Sequence, residues 1–289
     1  GGRRAAPSPR AGDRAAAPRL RGRAGLGLSV EPLVTAEALA GRLASQGVVI
    51  LDARMGQDAR RRYDEGHLAG ALFVDFEREL SGDASDPSRG GRHPLPAPAV
   101  FARAVGGWGI GPDVPVVCVD DAGGAKAAAR AWWMLRALGH EAVAVLDGGI
   151  AAAVRAGFAL VTEPGVALPR GAYPGSAWTL PRVDMAAVEG RGSRMLLDVR
   201  GSARFRGEVE PFDPRPGHTP GAEARPYEDS LDAEGRFLPR ERLRARFADA
   251  TRAIFSCGSG ITACHGLLAM AAAGLPLEHA ALYVGSYRE

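Results

Sequence analysis

The feature of this chain with the clearest chemical potential is a cysteine followed by closely spaced glycines. Cys257 comes after a short apolar run ending at Ser256, and Gly258, Ser259 and Gly260 separate it from an Ala- and Leu-rich stretch. We predict a buried strand, a tight loop and a helix. Glycines let the loop curl so that successive N–H groups point inward, and a helix N-terminus adds partial positive charge. Both effects favour thiolate over thiol, so the sequence predicts a nucleophilic cysteine.

The helix after the loop should cover residues 262–273, because Gly274 and Pro276 would stop it. The loop itself contains no lysine or arginine, so we expect backbone N–H groups to stabilise the sulfur anion. The alternative is a buried, inert cysteine behind a core strand. Two loop glycines and an adjoining helix start favour the reactive cysteine.

The segment 257–263, Cys-Gly-Ser-Gly-Ile-Thr-Ala, resembles the active-site loop of the 3-mercaptopyruvate sulfurtransferases, which belong to the rhodanese superfamily. The related thiosulfate sulfurtransferases typically carry basic residues after the cysteine, where this chain has Gly258 and Ser259. The resemblance implies an enzyme that moves sulfur from 3-mercaptopyruvate onto Cys257 as a persulfide and releases pyruvate. A thiol or cyanide would then accept the sulfur, with no metal and no organic cofactor. Thiosulfate stays open as the alternative donor.

The same resemblance implies which residues surround the cysteine. Arg204 falls where the family places one carboxylate-binding arginine, and Arg215 is the best match to the second. Ser259, His93 and Glu77 would form a serine–histidine–acid relay that delivers a proton to the pyruvate enolate. The alternative for the histidine is an exposed loop residue. The loop residues expected to contact substrate are Gly258, Gly260, Ile261 and Thr262.

The elements that must position these residues occur twice along the chain. Four segments recur in the same order: 51–54 with 197–200, the turn around His67 with 216–222, 116–119 with 253–256, and the strand before Gly148 with 281–285. Such an ordered repeat indicates a duplicated domain. The equivalent histidines of the repeated turn, His67 and His218, are therefore predicted to be structural. Cys264, on the helix after the loop, is predicted to be buried.

Apolar runs of four or five residues alternate with helical segments, which predicts parallel sheets covered by helices on both faces. We therefore predict an α/β fold with two domains at 29–160 and 179–289, joined by a Pro- and Gly-rich linker at 161–178, and the resemblance implies that both domains are rhodanese-like. The first should be catalytically silent, because Asp120 stands where the second has Cys257 and a carboxylate cannot accept a sulfane sulfur. It should form one wall of an interdomain cleft.

The amino-acid composition indicates which classes of partner and which cellular compartment to expect. The chain has 36 lysines and arginines against 33 acidic residues, but the basic excess lies in residues 1–28, which we expect to be a disordered Arg/Ala/Pro/Gly-rich tail. The near-neutral remainder disfavours nucleic-acid binding. No apolar run approaches the roughly 18 residues of a membrane span. Three cysteines without a pairing pattern fit a reducing compartment, so we expect the cytoplasm, or mitochondria if the tail is a transit segment.

Two other protein classes share parts of this pattern. Cysteine phosphatases use the same strand–loop–helix arrangement but need an arginine six residues after the cysteine, where this chain has Ala263. Non-catalytic rhodanese-like binding modules commonly lose the loop cysteine, which this chain keeps. The expected partners are therefore a small-molecule sulfur donor and a thiol acceptor, with a thioredoxin-like reductant as one candidate.

Overall fold

The computed structural model describes residues 31–45 and 47–289, so the predicted tail at 1–28 lies outside the described residues. The first unit is built on one parallel sheet with the strand order β1-β6-β5-β2-β4. Its elements are β1 (Leu33–Val34), α1 (Ala36–Ser45), β2 (Val49–Asp52), α2 (Ala59–Glu65), β3 (His67–Leu68), β4 (Leu72–Phe73), a π-helical segment (Phe76–Leu80), α3 (Pro98–Gly107), β5 (Val116–Val119), α4 (Ala127–Ala137), β6 (Val143–Leu146), α5 (Gly149–Arg155) and β7 (Leu160–Val161).

The second unit repeats this topology with its own parallel sheet, in the order β10-β9-β11-β12-β8. Its elements are β8 (Arg182–Val183), α6 (Met185–Glu189), β9 (Leu196–Asp198), α7 (Ser202–Phe205), β10 (Ala222–Ala224), a 3₁₀ segment (Tyr227–Ser230), α8 (Arg240–Phe247), β11 (Ile254–Ser256), α9 (Thr262–Ala272), β12 (Ala281–Tyr283) and a 3₁₀ segment (Ser286–Arg288). Strand by strand the two orders correspond, which confirms the predicted duplicated α/β fold.

Two repeated sequence features have matching structural roles in the two units. Arg54 binds both carboxylate oxygens of Asp52 at 2.9 Å behind β2, and Arg200 binds Asp198 in the same way behind β9. Both pairs are buried, and a buried bidentate pair fixes the chain direction where the strand ends. The repeated Leu-Asp-x-Arg pattern therefore marks this strand end.

The turn histidines pack in the same way in both units. His67 stacks on Tyr63, and His218 stacks on Phe205, each with ring centroids 3.8 Å apart. In each case Nδ1 of the histidine lies 2.8 Å from the carbonyl oxygen of the stacked aromatic residue. These contacts agree with the predicted structural role of both histidines.

The two units meet along α4 and α9, which pack against each other. Trp132 and Trp133 of α4 are fully buried. The chain leaving the first sheet stays attached to the first unit, because β7 pairs with β3 and Trp178 packs against the rings of Phe101 and Trp133. The domain limits at 29–160, 161–178 and 179–289 stay a prediction. No helix in residues 31–45 and 47–289 has both the length and the hydropathy that a membrane crossing needs.

One buried histidine predicts how the stability of the fold depends on pH. His265 on α9 is fully buried, stacks on Phe237 at 4.6 Å, and has no hydrogen-bond partner for either ring nitrogen among the described residues. Burial, with a smaller contribution from the charge of Arg246, lowers the pKa of His265 from 6.5 to about 3. The folded state therefore keeps this imidazole neutral over a pH range in which the unfolded chain protonates it.

We expect this histidine to reduce the free energy of unfolding progressively as the pH falls from 6.5 towards 3, because the unfolded chain gains a proton that the folded chain excludes. One such group contributes a slope of about 1.4 kcal/mol per pH unit. A His265→Phe variant keeps the stacking without the nitrogens and should lose this part of the slope. Urea unfolding at several pH values measures it.

The difference in pH slope between the wild type and His265→Phe reports on His265 alone, because other groups with shifted pKa values, such as His93, are present in both proteins. His279→Phe, at an exposed position, is the matched control and should keep the wild-type slope. An unchanged acid slope in His265→Phe would contradict the account of a neutral, buried imidazole.

Candidate active site

Cys257 follows β11 directly and lies in the loop between that strand and α9. The residue is only 2% exposed, and the N–H group of Ser259 donates to Cys257 Sγ at 3.4 Å. Both strands flanking β11 are parallel to it, so the loop sits at the carboxyl edge of the sheet. This is the edge at which ligands bind in open α/β sheets.

Each glycine of the loop has its own structural reason. Gly260 has φ +72, and a Cβ atom there would lie 2.4 Å from the carbonyl oxygen of Val284. Gly258 has no left-handed φ, but a Cβ atom would lie within 3.3 Å of the guanidinium groups of Arg204 and Arg92. Gly258 therefore leaves room for the two guanidinium groups, and Gly260 allows the left-handed backbone of the turn.

Ser286 stabilises the Cys257 loop through hydrogen bonds to its backbone, and the sequence analysis did not identify this residue. Its Oγ accepts the N–H groups of Cys257 and Gly260, both at 3.0 Å, and donates to the carbonyl oxygen of Tyr283 at 2.8 Å. Cys257 Sγ lies 3.9 Å from the same oxygen. Ser286 is also the one non-glycine residue with positive φ in the described part of the chain, at 57°. A serine after the last strand carries no sequence signal for this role.

The equivalent loop of the first unit holds an anion of its own. The buried carboxylate of Asp120 accepts backbone N–H groups at distances between 2.7 and 3.2 Å. The four donors are Ala122, Gly124, Lys126 and Ala128. The backbone N–H groups of this loop therefore form an anion-binding nest, and in the first unit the carboxylate of Asp120 occupies that nest.

Arginine side chains reach the Cys257 loop from other segments, although the loop itself contains none. Arg204 and Arg92 approach Gly258. Arg130, on α4 of the first unit, is fully buried and donates to the carbonyl oxygens of Gly260 at 3.3 Å and His93 at 3.0 Å. Arg130 makes no ion pair with a carboxylate among the described residues.

The cleft in front of Cys257 has a volume of about 600 Å³ and is walled by both units. Of the predicted site residues it contains Arg204, His93, Ser259, Gly258, Ile261 and Thr262, in addition to Cys257. It also contains residues that were not predicted, namely Met55, Arg92, Lys126, Arg200, Phe212, Tyr227 and Glu228.

Arg215 does not line this cleft, and its role as the second carboxylate-binding arginine stays a prediction. It is exposed and lines a separate cavity of about 760 Å³ together with Tyr287. The segment between Arg204 and Arg215 turns so that Asp213 faces the cleft arginines instead, bonding to Arg204 Nη2 at 3.0 Å. Arg92, from the first unit, lines the cleft together with Arg204.

The proposed proton relay is only partly assembled. His93 Nε2 lies 3.6 Å from Glu77 Oε1, and His93 and Ser259 both line the cleft. No hydrogen bond joins Ser259 to His93 in the portion of the chain that the structure describes. Burial, reinforced by the charges of Arg130 and Arg92, lowers the pKa of His93 to about 4. The imidazole is therefore neutral near pH 7.

Cys264 is fully buried on α9, with Sγ 3.3 Å from the carbonyl oxygen of Gly260. Burial raises the pKa of the Cys264 thiol to about 12. It stays protonated near neutral pH, and its burial agrees with the prediction for this residue.

Comparison with known proteins places this geometry in a family. The rhodanese-like domain model matches residues 35–156. A probable 3-mercaptopyruvate sulfurtransferase of Pseudomonas aeruginosa is 43% identical over 276 residues, covering 91% of this chain and 95% of the relative. A putative thiosulfate sulfurtransferase of Mycobacterium tuberculosis is 40% identical, covering 89% and 93%. The structure of 3-mercaptopyruvate sulfurtransferase from Leishmania major matches with a TM-score of 0.77 at 30% identity, covering 90% of this chain and 74% of that one.

Proposed function

Because this chain belongs to the 3-mercaptopyruvate sulfurtransferase family of the rhodanese superfamily, we propose that it takes sulfur from 3-mercaptopyruvate through a persulfide on Cys257. The chain is an enzyme of the sulfurtransferase class. The observation that carries the proposal is the pair of related loops: Asp120 fills the amide nest of the first unit, and Cys257 stands at the matching strand end of the second.

The side chains explain why a persulfide suits this nest. In aspartate, Cα is followed by Cβ, Cγ and a charged oxygen, and in a cysteine persulfide it is followed by Cβ, Sγ and a charged outer sulfur. The persulfide therefore reaches as far along the chain of bonds as the Asp120 carboxylate does, with its charge on the last atom. The amides that bind an anion in the first unit have counterparts that stabilise the sulfur anion in the second.

The transfer balances without a cofactor. The Cys257 thiolate attacks the thiol sulfur of 3-mercaptopyruvate, an S–S bond forms, and the C–S bond breaks with its electron pair staying on carbon as the pyruvate enolate. The thiol proton of the substrate moves to the enolate carbon, giving pyruvate and an anionic persulfide. A thiolate or cyanide then attacks the outer sulfur and regenerates the Cys257 thiolate. A thioredoxin-like dithiol is one such acceptor.

Ser259 and His93 are the groups we propose to carry the proton. Both line the cleft that the substrate must enter, and Nδ1 of the neutral His93 imidazole has no hydrogen-bond partner among the described residues, so it is open to a hydroxyl group. Glu77 Oε1 lies 3.6 Å from His93 Nε2, and we propose Glu77 as the acidic member of the relay. The Ser259–His93 contact would form only when substrate closes the cleft, since catalytic hydrogen bonds often tighten in the complex.

The keto acid would bind across the loop. Arg204 supplies charge for its carboxylate, and Gly258, Gly260, Ile261 and Thr262 present backbone around the reacting sulfur. The loop has no basic side chain of its own after Cys257, which favours the keto acid over thiosulfate as donor.

The two donors give the test of this proposal. With the purified protein and cyanide as acceptor, we expect kcat/KM for 3-mercaptopyruvate to exceed that for thiosulfate by about 10-fold or more, the ratio that one well-placed contact can provide. Thiocyanate formation measures both. The relative named as a putative thiosulfate sulfurtransferase makes the second donor the specific alternative. A higher kcat/KM for thiosulfate would overturn the choice of donor and keep the enzyme class.

A further inference from the structure

The single lysine of this chain lies on the wall of the cleft in front of Cys257. The sequence contains 35 arginines, and Lys126 is its one lysine. Lys126 directly precedes α4 of the first unit and is exposed. It lines the cleft of about 600 Å³ that also contains Cys257. The first unit therefore contributes the one ammonium side chain of the protein to the wall of this cleft.

The ammonium group of Lys126 differs from the guanidinium groups of the same cleft in having no carboxylate partner. Each of the three arginines that line the cleft is ion-paired. These pairs, with N–O distances between 2.5 and 2.7 Å, are Arg92–Asp213, Arg200–Asp198 and Arg204–Glu210. Lys126 makes hydrogen bonds through its backbone, but its Nζ has no partner in residues 31–45 and 47–289.

The acidic groups nearest to Lys126 in the sequence are already engaged. The Asp120 carboxylate is 1% exposed and accepts backbone N–H groups, including that of Lys126 at 3.1 Å. Asp121 is ion-paired with Arg62. The one carboxylate lining the cleft within the described part of the chain is Glu228 of the second unit, and no ion pair joins it to Lys126. The charge of Lys126 is therefore available to a bound anion.

A smaller cavity adjoins the cleft at Lys126. It has a volume of about 210 Å³ and is lined by residues of the first unit, among them Ala53 and Ala122. Lys126 and Met55 line both this cavity and the cleft. A small molecule whose thiol reaches Cys257 therefore has space for a short tail beside the ammonium group.

The second half of the sulfur transfer is the step that needs a free cation most. After the first half, Cys257 carries an anionic persulfide, and the attacking group of a thiol acceptor is itself an anion. Like charges repel, and a carboxylate on the acceptor adds to the repulsion. An unpaired ammonium group beside the approach path offsets it.

We propose that Lys126 is a specificity-determining residue of this second half reaction, favouring small thiol acceptors that carry a carboxylate. The inference rests on the proposed function and deepens it by naming the acceptor class. The acceptor thiolate attacks the outer sulfur of the Cys257 persulfide, and a new S–S bond forms. The bond between the outer sulfur and Cys257 Sγ breaks with its electron pair on Sγ, and the acceptor leaves as a persulfide.

The test uses protein already loaded with one sulfur and compares thioglycolate with 2-mercaptoethanol, a thiol of similar size without the carboxylate. In Lys126→Gln, we expect the second-order rate constant for sulfur removal by thioglycolate to fall about 5-fold, the worth of one ionic contact near water. The rate constant for 2-mercaptoethanol should stay within about 2-fold, because it carries no charge for the ammonium group to attract. Added salt should shrink the thioglycolate effect. Intact mass after rapid quenching measures the loss of sulfur.

Matched variants separate a charge in the cleft from net charge and from damage to the fold. Arg103→Gln removes the same charge from an exposed position on α3 and should leave both acceptors unaffected. Lys126→Arg keeps the charge and should keep the preference for thioglycolate. Equal losses for both acceptors in Lys126→Gln, or no loss for thioglycolate, would overturn the proposal. A larger loss in loading from 3-mercaptopyruvate than in removal by thioglycolate would also overturn it, because Lys126 would then serve the donor.

Alkylation of the unloaded protein decides the role of Lys126 without any sulfur donor. Iodoacetate is an anion and iodoacetamide is neutral, and both react with the Cys257 thiolate, whereas Cys118 and Cys264 are fully buried. We expect the ratio of the iodoacetate to the iodoacetamide rate to fall about 5-fold in Lys126→Gln and to stay unchanged in Arg103→Gln. If no donor loads Cys257, the proposed function is wrong, and this ratio still tests Lys126. An unchanged ratio in Lys126→Gln would contradict its selection of anions.

Discussion

Replacing Cys257 with serine should abolish sulfur transfer, lowering kcat by about 10⁴-fold or more. Serine keeps the size of the side chain but cannot carry a sulfane sulfur as a stable persulfide, so the intermediate does not form. We expect the loop to keep its conformation, because the hydrogen bonds of Cys257 Sγ among the described residues are those with the Ser259 N–H group at 3.4 Å and Ser286 Oγ at 3.9 Å, and a serine hydroxyl can replace both. Steady-state thiocyanate formation with 3-mercaptopyruvate and cyanide measures the loss.

A Cys257→Asp variant is the matched control, because it supplies the charge of the loaded site without any sulfur. It should be as inactive as Cys257→Ser, yet more stable than Cys257→Ala by about 1.5–3 kcal/mol, the worth of hydrogen bonds to a charged group. Measuring both activity and stability of this variant therefore separates sulfur transfer from the electrostatic stabilisation of an anion by the nest. Turnover above a few per cent of wild type in Cys257→Ser would contradict the role given to the thiolate.

Replacing Asp120 with alanine should lower the free energy of unfolding by about 3–5 kcal/mol, although this residue is in the unit that lacks Cys257. Its carboxylate accepts four backbone N–H groups at 2.7–3.2 Å, and alanine leaves that ring of amides with no anion. Chemical denaturation with a probe in the first unit, such as the fluorescence of the buried Trp132 and Trp133, measures the loss.

Asp83→Ala gives the comparison at the surface. Asp83 also accepts a backbone N–H group, from Ser85 at 2.9 Å, but it is exposed and water can replace that bond. We expect a change within about 0.5 kcal/mol there. Similar unfolding energies for Asp120→Ala and Asp83→Ala would contradict an anion-filled nest in the first unit.

Much of the fold could be read from short local patterns. The Leu-Asp-x-Arg repeats, the turns around His67 and His218 and the four-residue apolar strands each depend on neighbours in sequence, so the duplication was visible. The limits of the helix after the reactive loop were close, since α9 spans Thr262–Ala272 where 262–273 was expected. Glycine and proline end helices through local backbone effects, which is why such limits can be predicted.

The residues that line the cleft could not be predicted from local sequence patterns, because they come together only through contacts between distant segments. Arg92 and Asp213 are more than a hundred positions apart and meet only after the two units pack. The resemblance favoured Arg215 because it precedes the repeated turn, but the direction of its loop is set by Asp213 and Glu210, which bond to Arg204. Sequence spacing does not encode that direction.

Ser286 and Arg130 show a second limit of sequence reasoning. A serine after a strand and an arginine in an alanine-rich helix look like ordinary surface residues, yet Ser286 Oγ holds two amides of the reactive loop and Arg130 lies fully buried beneath it. Their roles come from the seam between the units. Only the packed structure reveals which polar side chains that seam buries.

The most direct test of the central claim is the intact mass of the protein after brief exposure to 3-mercaptopyruvate without an acceptor. The account predicts a gain equal to one sulfur atom, located on Cys257 by peptide mapping, absent in Cys257→Ser, and removed by cyanide with release of thiocyanate. A protein that releases pyruvate without gaining that mass, or that carries the sulfur on Cys264, would contradict it.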